Sequence, residues 1–394
     1  MKTFLTFIAI SAVAVLGYFL LSHFSQESYS ASDVQSAQAI QGIVSDVTDS
    51  TPVVEEIKEP EFVVTHIKTP EPVKAIYMTS WVASTPSIAK KVIEVVDTTE
   101  ANALVIDIKD YTGNVSFVSG DPRLADEGVE ENRIKNIKAF IGELHKKNIY
   151  VIGRVAVFQD PHLVKKRPEL AVKTASNKNT VWKDRKGITW LDAGSQEVWD
   201  YAVLIGEVSY DVGFDEINYD YIRFPSDGNM KDIYYPISEG KSKPEVLKSF
   251  FSYLNDTIRK KGIPISADLF GMVTTNTDDL NIGQVLENTL PYVDFVAPMV
   301  YPSHFPPTWN GLKNPAANPY DVIHYSMGKA VERAKAMGED PLKLRPWLQD
   351  FNLGATYTKE MVRDQIQATY DVGLTSWMIW DPSNTYTPGG LLKE

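Results

Sequence analysis

The strongest constraint on the fold is a regular alternation of short apolar runs with longer amphipathic stretches, which begins near residue 73. The apolar runs have the length and the β-branched and aromatic content of strands. They lie at 74–81, 103–110, 150–158, 214–222, 263–271, 295–302, 344–351 and 376–381. Helical patterns separate them at 85–99, 132–148, 195–212, 243–261, 282–290, 319–337 and 358–372. Strands and helices in this number and order predict an α/β protein, a closed parallel (β/α)8 TIM barrel over residues 73–394.

The helix boundaries carry residues that helix ends prefer. C-cap positions are expected at Asn148, Gly213, Gly262, Gly338 and Gly373, and N-caps are expected at Ser195 and Thr358. An open, doubly wound sheet is the main rival architecture. It usually has fewer strands and a glycine-rich first turn, whereas the first turn here, WVASTPS, contains no phosphate-binding glycine.

The N-terminal region differs in composition from the rest of the chain. The run from Phe4 to Leu21 is almost wholly apolar and is at the lower limit for spanning a bilayer. We interpret residues 1–24 as a signal anchor or signal peptide, with the uncleaved anchor favoured. Residues 25–72, rich in Ser, Asp, Glu and Pro, are expected to form a flexible linker. The barrel would then lie outside the cytoplasm, with membrane contact through the N-terminal segment only.

Charge and residue usage exclude several classes of function. The net charge of −12 disfavours nucleic acid and anionic lipid as partners. The absence of cysteine excludes disulfides, thiolate metal sites and a cysteine nucleophile. The chain has no His-x-x-x-His pair and no Gly-x-Ser-x-Gly motif, so a zinc hydrolase and a typical serine hydrolase are disfavoured. No metal or cofactor is predicted. Asp227, Asp278 and Asp279 could together hold a cation in a loop, but solvated surface charge is the favoured interpretation.

Polar residues recur at alternate positions of the predicted strands. In the fourth strand Ile217, Tyr219 and Tyr221 suit the helix layer, which leaves the intervening polar residues pointing into the barrel. The inward set comprises Asp107, Lys109, Arg154, Glu216, Asn218, Asp220, Ser266, Asp268, Arg345, Trp347 and Gln349. Ionic groups are costly inside a barrel unless they are paired or used, because an apolar interior does not solvate them. The carboxyl ends of the strands are therefore the expected active site.

The inward carboxylates match the chemistry of glycoside hydrolysis, which uses two carboxyl groups on either side of the scissile bond. Asp220 and Asp268 are the inward acids nearest the carboxyl ends of two neighbouring strands. Adjacent strands lie about 4.8 Å apart, so the two carboxyl groups could have the separation of a retaining pair. Arg223, Lys109 and Arg154 are expected to keep Asp220 ionised as the nucleophile. Burial beside Leu269 and Phe270 would raise the pKa of Asp268, the candidate acid. Asp107 is the reserve candidate for either role.

Further residues near the strand ends are candidates for substrate binding. They are Lys109, Arg154, Glu216, Asn218, Arg223, Tyr301, His304, Trp347, Gln349, Trp380 and Asp381. Structural roles remain open for many of them. A strand-end Asp often forms an Asx turn, the aromatics could be core residues, Arg223 could only bridge Asp220, and the inward charges could form a structural ion network.

The run GFDEINYDYIRFP, from Gly213 to Pro225, resembles a bacterial family of glycoside hydrolase domains of unknown function. The similarity extends through KAIYMTSW, ALVIDIKDYTGNVSF, ISADLFG, APMVYPSHF, RPWLQDF and SWMIWDPSNTY, and so covers residues 73 to 390. The segment from Arg167 to Tyr201 is also similar to a loop of other extracellular barrel hydrolases. The resemblance implies a TIM barrel related to the α-amylase-like and α-galactosidase-like clans. It implies that Asp220, at the end of the fourth strand, is the nucleophile.

The chain departs from these relatives at the position of the acid. Chitinase-type barrels end the fourth strand with a glutamate where this chain has Ile222, which disfavours a chitinase mechanism. Amylase-type enzymes carry a glutamate on the fifth strand, where this chain offers Asp268. Galactosidase-type enzymes carry an aspartate on the sixth strand, where this chain has Tyr301. The resemblance therefore indicates the nucleophile more firmly than the acid.

Three functions are compatible with the sequence. The first is a retaining glycosidase that acts on an extracellular or cell-envelope polysaccharide or oligosaccharide, without a cofactor. The second is a catalytically inactive, surface-displayed carbohydrate-binding barrel, for which the two carboxyl groups would be separated by more than about 10 Å. The third is an anchored scaffold protein. The separation of Asp220 and Asp268 discriminates between the first two.

Overall fold

The computed structural model describes residues 63–393, and a closed barrel of eight parallel strands lies at its centre. The strands neighbour one another around the barrel in chain order. They are β1 (Lys74–Met78), β2 (Ala103–Lys109), β3 (Tyr150–Ala156), β4 (Glu216–Asp220), β5 (Ile265–Phe270), β6 (Phe295–Met299), β7 (Trp347–Gln349) and β8 (Trp377–Trp380). The predicted (β/α)8 barrel is confirmed, and the open sheet is excluded because the ring closes between β8 and β1.

Helices surround the barrel on its outer face. They are α1 (Ser80–Ala83), α2 (Pro86–Asp97), α3 (Pro122–Asp126), α4 (Ile137–Lys146), α5 (Pro161–Lys166), α6 (Gln196–Asp211), α7 (Lys243–Thr257), α8 (Leu286–Thr289), α9 (Pro319–Ala336) and α10 (Lys359–Asp371). All five expected C-cap residues have the positive φ of a left-handed cap. Thr358 caps α10, whereas Ser195 precedes α6 without a capping hydrogen bond from its side chain. The short strands Lys173–Thr174 and Ile233–Tyr234 pair as a ribbon outside the barrel.

Alternation along β4 divides its residues between two layers, as expected from the period of two. Ile217 and Tyr219 are fully buried against the helices, and Tyr219 Oη donates to Ala202 O in α6 at 3.4 Å. Gly206 of α6 permits this approach, because a Cβ there would lie 2.3 Å from Tyr219 Oη. Glycine therefore allows helix α6 to lie close to the strand that carries Asp220.

A register shift in β2 reverses the direction of one predicted residue. Asp107 pairs with Arg154, but the next paired residue, Lys109, lies opposite Val155, which faces the helix layer. Lys109 Nζ donates to Asp160 Oδ2 at 2.6 Å and lies 5.7 Å from the ring centroid of Tyr201 in α6. The expectation that Lys109 faces the barrel interior is wrong, because a β-bulge turns the side chain outward.

The boundary between linker and barrel was expected at residue 73, but residues before it already contact the barrel. Ile67 N donates to Asp215 Oδ1 at 2.6 Å, and the hydroxyl groups of Thr69 and Tyr150 are 2.9 Å apart. Asp215 and Tyr150 mark the amino-terminal ends of β4 and β3. Residues 63–72 therefore lie against the base of the barrel, opposite its carboxyl end. Their irregular contacts leave no periodic pattern in the sequence.

The proposed signal anchor, 1–24, and most of the proposed linker lie outside the residues that the structure describes. Across residues 63–393 no helix has both the length and the apolar character needed to cross a membrane.

Candidate active site

A cleft of about 600 Å³ opens at the carboxyl end of the barrel strands. Seven of the predicted site residues line it: Arg154, Asp220, Arg223, Asp268, Tyr301, His304 and Trp380. They come from strands β3, β4, β5 and β8 and from the turns after β4 and β6. The structure therefore brings together half of the residues that the sequence indicated, including both carboxylates of the expected pair.

Asp220 is the last residue of β4 and is held at both carboxylate oxygens. Oδ2 accepts from Arg154 Nε at 3.0 Å and also from Nη2 of the same guanidinium. Oδ1 accepts from the backbone N–H of Tyr221 at 2.5 Å. Tyr221 has a φ of 53°, a left-handed conformation that is costly for a bulky residue. This backbone turn brings Tyr221 into the cleft rather than the helix layer, where alternation had placed it.

Asp268 on β5 is almost fully buried beneath the cleft, at 1% exposure. Its Oδ1 accepts from Trp347 Nε1 at 2.8 Å and from Asn218 Nδ2 at 2.9 Å. Burial, and then the negative charge of Asp220, raise the pKa of Asp268 well above its usual value, although Arg154 opposes them. Burial therefore favours the protonated form of Asp268, the form that a general acid uses.

The distances from Arg154 Nε set an upper limit on the separation of the Asp220 and Asp268 carboxyl groups. Arg154 Nε lies 3.0 Å from Asp220 Oδ2 and 3.9 Å from Asp268 Oδ2. These two oxygens can therefore be no more than about 7 Å apart, which is compatible with the two-carboxylate geometries of glycosidases. The separation of more than about 10 Å expected for a barrel that only binds sugar is not found.

Asp107, the reserve candidate, lies deeper in the barrel, outside the cleft lining. Its Oδ1 accepts from Arg154 Nη1 at 2.7 Å, and its Oδ2 accepts from Tyr77 Oη at 2.5 Å. Burial raises the pKa of Asp107, whereas Arg154 and Tyr77 act in the opposite direction. The arrangement makes Asp107 a support for Arg154, which in turn holds Asp220.

Three inward polar residues that were candidate substrate contacts are enclosed by protein. Glu216 is fully buried and pairs with Arg345 Nη1 at 2.9 Å. Asn218 and Trp347 are also fully buried, and both donate to Asp268. None of the three lines the cleft, so this geometry provides structural contacts and no direct path to a substrate.

Three more candidates bind neighbouring protein groups outside the cleft lining. Lys109 pairs with Asp160, as described above. Gln349 accepts from Ser303 N at 3.1 Å and donates to the backbone oxygen of Phe351 at 2.8 Å. Asp381 accepts from the backbone N–H groups of Ser383 and Thr385, which is the Asx-type turn left open as its structural role.

Aromatic and cationic candidates form the walls of the cleft. Trp380 stacks on Tyr77 with ring centroids 3.8 Å apart, and the guanidinium of Arg154 lies 5.0 Å from the Trp380 ring. Burial, followed by the negative charge of Asp268, raises the pKa of Tyr301. Burial lowers the pKa of His304, so its imidazole is neutral at neutral pH. The rings of Trp380, Tyr301 and His304 therefore present flat, uncharged faces to the cleft.

Several residues that line or support the candidate site were not predicted from the sequence. Tyr77 had a detectable signal, because it alternates with Ile76 and Met78 on β1 and so points inward. Phe270 is the last residue of β5 and was considered only as an apolar neighbour of Asp268. Lys186 and Phe351 line the cleft from beyond or between the strands, where no periodic pattern applies. Only the folded arrangement of the loops brings them to the site.

The loop carboxylates considered as a cation site have structural partners. Asp278 Oδ1 accepts from Leu280 N at 3.2 Å, and Asp279 accepts from the backbone N–H groups of Asn281 and Gly283. Over residues 63–393 no group of three potential His, Asp or Glu ligands is present. The geometry therefore gives these carboxylates turn-forming roles.

Fold and site together define a (β/α)8-barrel protein with a carboxylate-lined cleft at the carboxyl ends of its strands. Residues 75–386 match the family described as "Putative glycosyl hydrolase domain". The chain therefore belongs to this family, and the resemblance inferred from the sequence motifs is confirmed. A search of curated proteins found no match.

Two solved structures are similar to parts of this chain. A hypothetical protein from Ruminiclostridium thermocellum is 34% identical, with a TM-score of 0.44, and the match covers 49% of this chain and 96% of that protein. The glycoside hydrolase domain of PgaB (BpsB) from Bordetella bronchiseptica is 12% identical, with a TM-score of 0.58, and the match covers 79% of this chain and 95% of that domain. The second likeness is one of fold.

Proposed function

We propose that this protein is a retaining glycosidase that cleaves O-glycosidic bonds of an extracellular or cell-envelope polysaccharide. In this proposal Asp220 is the nucleophile and Asp268 is the general acid and base. The observation that carries it is that the carboxylates of Asp220 and Asp268 both lie within 3.9 Å of Arg154 Nε and both line one cleft. Membership of a glycosyl hydrolase family and the apolar N-terminal run support the activity and the location, respectively.

The first chemical step uses the difference between the two carboxyl groups. The Asp220 side chain, positioned by Arg154, attacks the anomeric carbon, while Asp268 donates its proton to the glycosidic oxygen. The bond between that carbon and oxygen breaks, so the leaving sugar departs as an alcohol. Asp220 is then joined to the remaining sugar as a glycosyl ester. Because its pKa is raised, Asp268 favours the protonated form that this step requires.

The second step reverses the role of Asp268. Esterification removes the negative charge of Asp220, which is one of the causes of the raised pKa of Asp268. The pKa of Asp268 therefore falls, and its carboxylate can accept a proton from water as that water attacks the anomeric carbon. Asp220 leaves as a carboxylate, the configuration is retained, and Asp268 is protonated again.

The test is the variant Asp220→Gly, assayed on a panel of 4-nitrophenyl glycosides and polysaccharides with and without sodium azide. Hydrolysis should fall below about one thousandth of the wild-type rate, since the covalent intermediate cannot form. Azide should restore turnover of activated substrates and give glycosyl azides of inverted configuration. Asp227→Gly, on the same connecting segment but outside the cleft lining, is the control and should remain active.

Full activity of Asp220→Gly would show that Asp220 is not the nucleophile. Loss of activity without azide rescue, together with an inverted product from the wild type, would replace the retaining mechanism by an inverting one. Sugar binding by a wild type that hydrolyses no member of the panel would favour the binding-only barrel.

A further inference from the structure

The cleft contains a guanidinium that forms no ion pair within the described residues. Arg223, three residues beyond the end of β4, lies 4.7 Å from the ring centroid of Trp190 and 4.8 Å from that of Phe270. The ring of Tyr221 is 5.5 Å away. Cation–π contacts with three rings hold a planar group firmly while leaving its edge free to donate hydrogen bonds.

The hydrogen bonds of Arg223 use only part of that edge. Nη1 donates to Phe224 O and to Ser226 Oγ, each at 3.2 Å. Among residues 63–393 no carboxylate oxygen lies within 4.0 Å of this guanidinium, so the expected bridge to Asp220 is not formed. Neither Nε nor Nη2 has an acceptor in this part of the chain, although the residue lines the cleft. Burial lowers the pKa of Arg223, in keeping with a cation held without an ion pair.

Lys186 adds a second cation to the same cleft. Its side chain is exposed, and within the described residues it makes no ion pair. The third cation, Arg154, is balanced by Asp107 and Asp220. Arg223 and Lys186 are therefore two cations of the cleft lining that form no ion pair within the described residues, although the whole chain carries a net charge of −12.

We infer that the substrate is an acidic glycan whose sugar carboxylate binds the free edge of Arg223, with Lys186 as a second contact. This inference rests on the proposed glycosidase function and specifies its substrate class. A planar carboxylate matches the guanidinium fork, and an ammonium group supplies an additional point charge. A neutral glycan would leave the partly desolvated guanidinium of Arg223 without a counter-charge, which is unfavourable.

The experiment measures binding, so that it does not depend on turnover. Full-length protein with Asp220→Asn in every arm is titrated with uronic-acid oligosaccharides such as oligogalacturonate and hyaluronan fragments. Each is compared with its carboxyl-reduced counterpart, which keeps the sugar configuration and removes the charge. We expect at least one acidic oligosaccharide to bind and to lose about ten- to a hundredfold in affinity on reduction.

Variants then locate the recognition. Arg223→Gln should reproduce the ten- to hundredfold loss, and Lys186→Gln should weaken binding by less than about fivefold because that side chain is exposed. Arg185→Gln removes an exposed cation of the same loop that lies outside the cleft, and it should change affinity less than twofold. Lys186→Gln and the reduced ligands keep the test informative if Arg223→Gln does not fold.

The inference fails if no acidic oligosaccharide binds, or if carboxyl reduction leaves affinity within twofold. Equal binding of dextran sulfate, with none of plain dextran, would assign the site to polyanions in general and overturn the choice of a carboxylate. If wild-type protein hydrolyses nothing while acidic selectivity persists, the proposed glycosidase activity fails and the inference on ligand class stands.

Discussion

The two ends of β4 carry carboxylates that sequence alternation cannot tell apart, yet the structure gives them opposite environments. Glu216 begins the strand, is fully buried, and pairs with the equally buried Arg345. Asp220 ends the strand, pairs with Arg154, and borders a cleft of about 600 Å³. Both residues point inward, so direction alone does not make a carboxylate available for chemistry. Depth along the barrel axis decides whether a substrate can reach it.

The comparison also separates two uses of a buried ion pair. At the base, the Glu216–Arg345 pair is enclosed by protein and by Tyr150, whose hydroxyl donates to Glu216 at 3.1 Å. At the upper end, Arg154 is shared between Asp107 and Asp220 and also lies near Asp268. The lower pair can only support the fold, whereas the upper group holds Asp220 and Asp268 side by side, and burial raises the pKa of Asp268.

The largest expected effect is at the upper end, from Asp268→Asn. The variant should lose about 10²–10⁴-fold in kcat/KM, which reports the first chemical step, on substrates with poor leaving groups, because it cannot donate the proton. Aryl glycosides with acidic leaving groups should lose much less. Asn retains the oxygen that accepts from Trp347 and Asn218, so the fold should persist. Equal losses on both substrate types would contradict the assignment of Asp268 as the acid.

The same variant has a defined effect on stability against pH. The folded-state pKa of Asp268 is raised, so its contribution to stability is complete below its unfolded value and is lost as pH rises through the folded pKa. Over the pH range above about 4, the unfolded pKa of an aspartate, wild-type protein should therefore lose more thermal stability than Asp268→Asn as the pH rises. Parallel Tm profiles for the two proteins would show that Asp268 is ionised throughout this range.

At the lower end, Glu216→Gln should affect stability and spare chemistry. Arg345 would remain buried without its counter-charge, which costs about 3–5 kcal/mol of unfolding free energy. Denaturant unfolding measures the loss, and kcat per folded molecule should stay within twofold. The matched control is Glu143→Gln, which removes an exposed pair with Lys146 and should cost less than about 1 kcal/mol. A selective fall in kcat would place Glu216 in the active site after all.

The smallest effect is expected midway along the strand, from Asn218→Ala. Asn218 donates to Asp268 Oδ1 and so favours the ionised form. Its removal should raise the pKa of Asp268 further and move the alkaline limb of the kcat/KM profile upward by less than about one pH unit. Ser266→Ala removes only the other acceptor of Asn218 and should leave the limb in place. An unchanged limb in both variants would limit Asn218 to a packing role.

The sequence predicted the barrel well because its signals are local and repeated. Each strand alternates between two layers, and the helix ends carry Gly213, Gly262 or similar residues at positions of positive φ. The motif around Asp220 also placed that residue at a strand end, as observed. Properties that depend on one strand or one helix end could therefore be predicted before the structure.

The site was predicted less completely because its shape depends on distant segments. Alternation could not reveal the register shift that turns Lys109 outward, since a bulge adds one residue without a clear sequence signature. Alternation also could not give the position of a residue along the barrel axis, which encloses Glu216 in protein and places Asp220 at the cleft. Lys186 reaches the cleft from a loop with no periodic pattern. Contacts between segments, rather than residue type, decide these positions.

The bulge in β2 has a consequence for redesign of the barrel. The outward Lys109 binds Asp160, whose other oxygen accepts from Leu163 N at the start of α5, and Gly113 lies directly against that carboxylate. The connections that follow β2 and β3 are thus joined through one aspartate and behave as a single structural unit. A graft that exchanges the second connection, which carries Asp160, for that of another barrel must replace Lys109 as well, or it will leave a buried ammonium without its counter-ion.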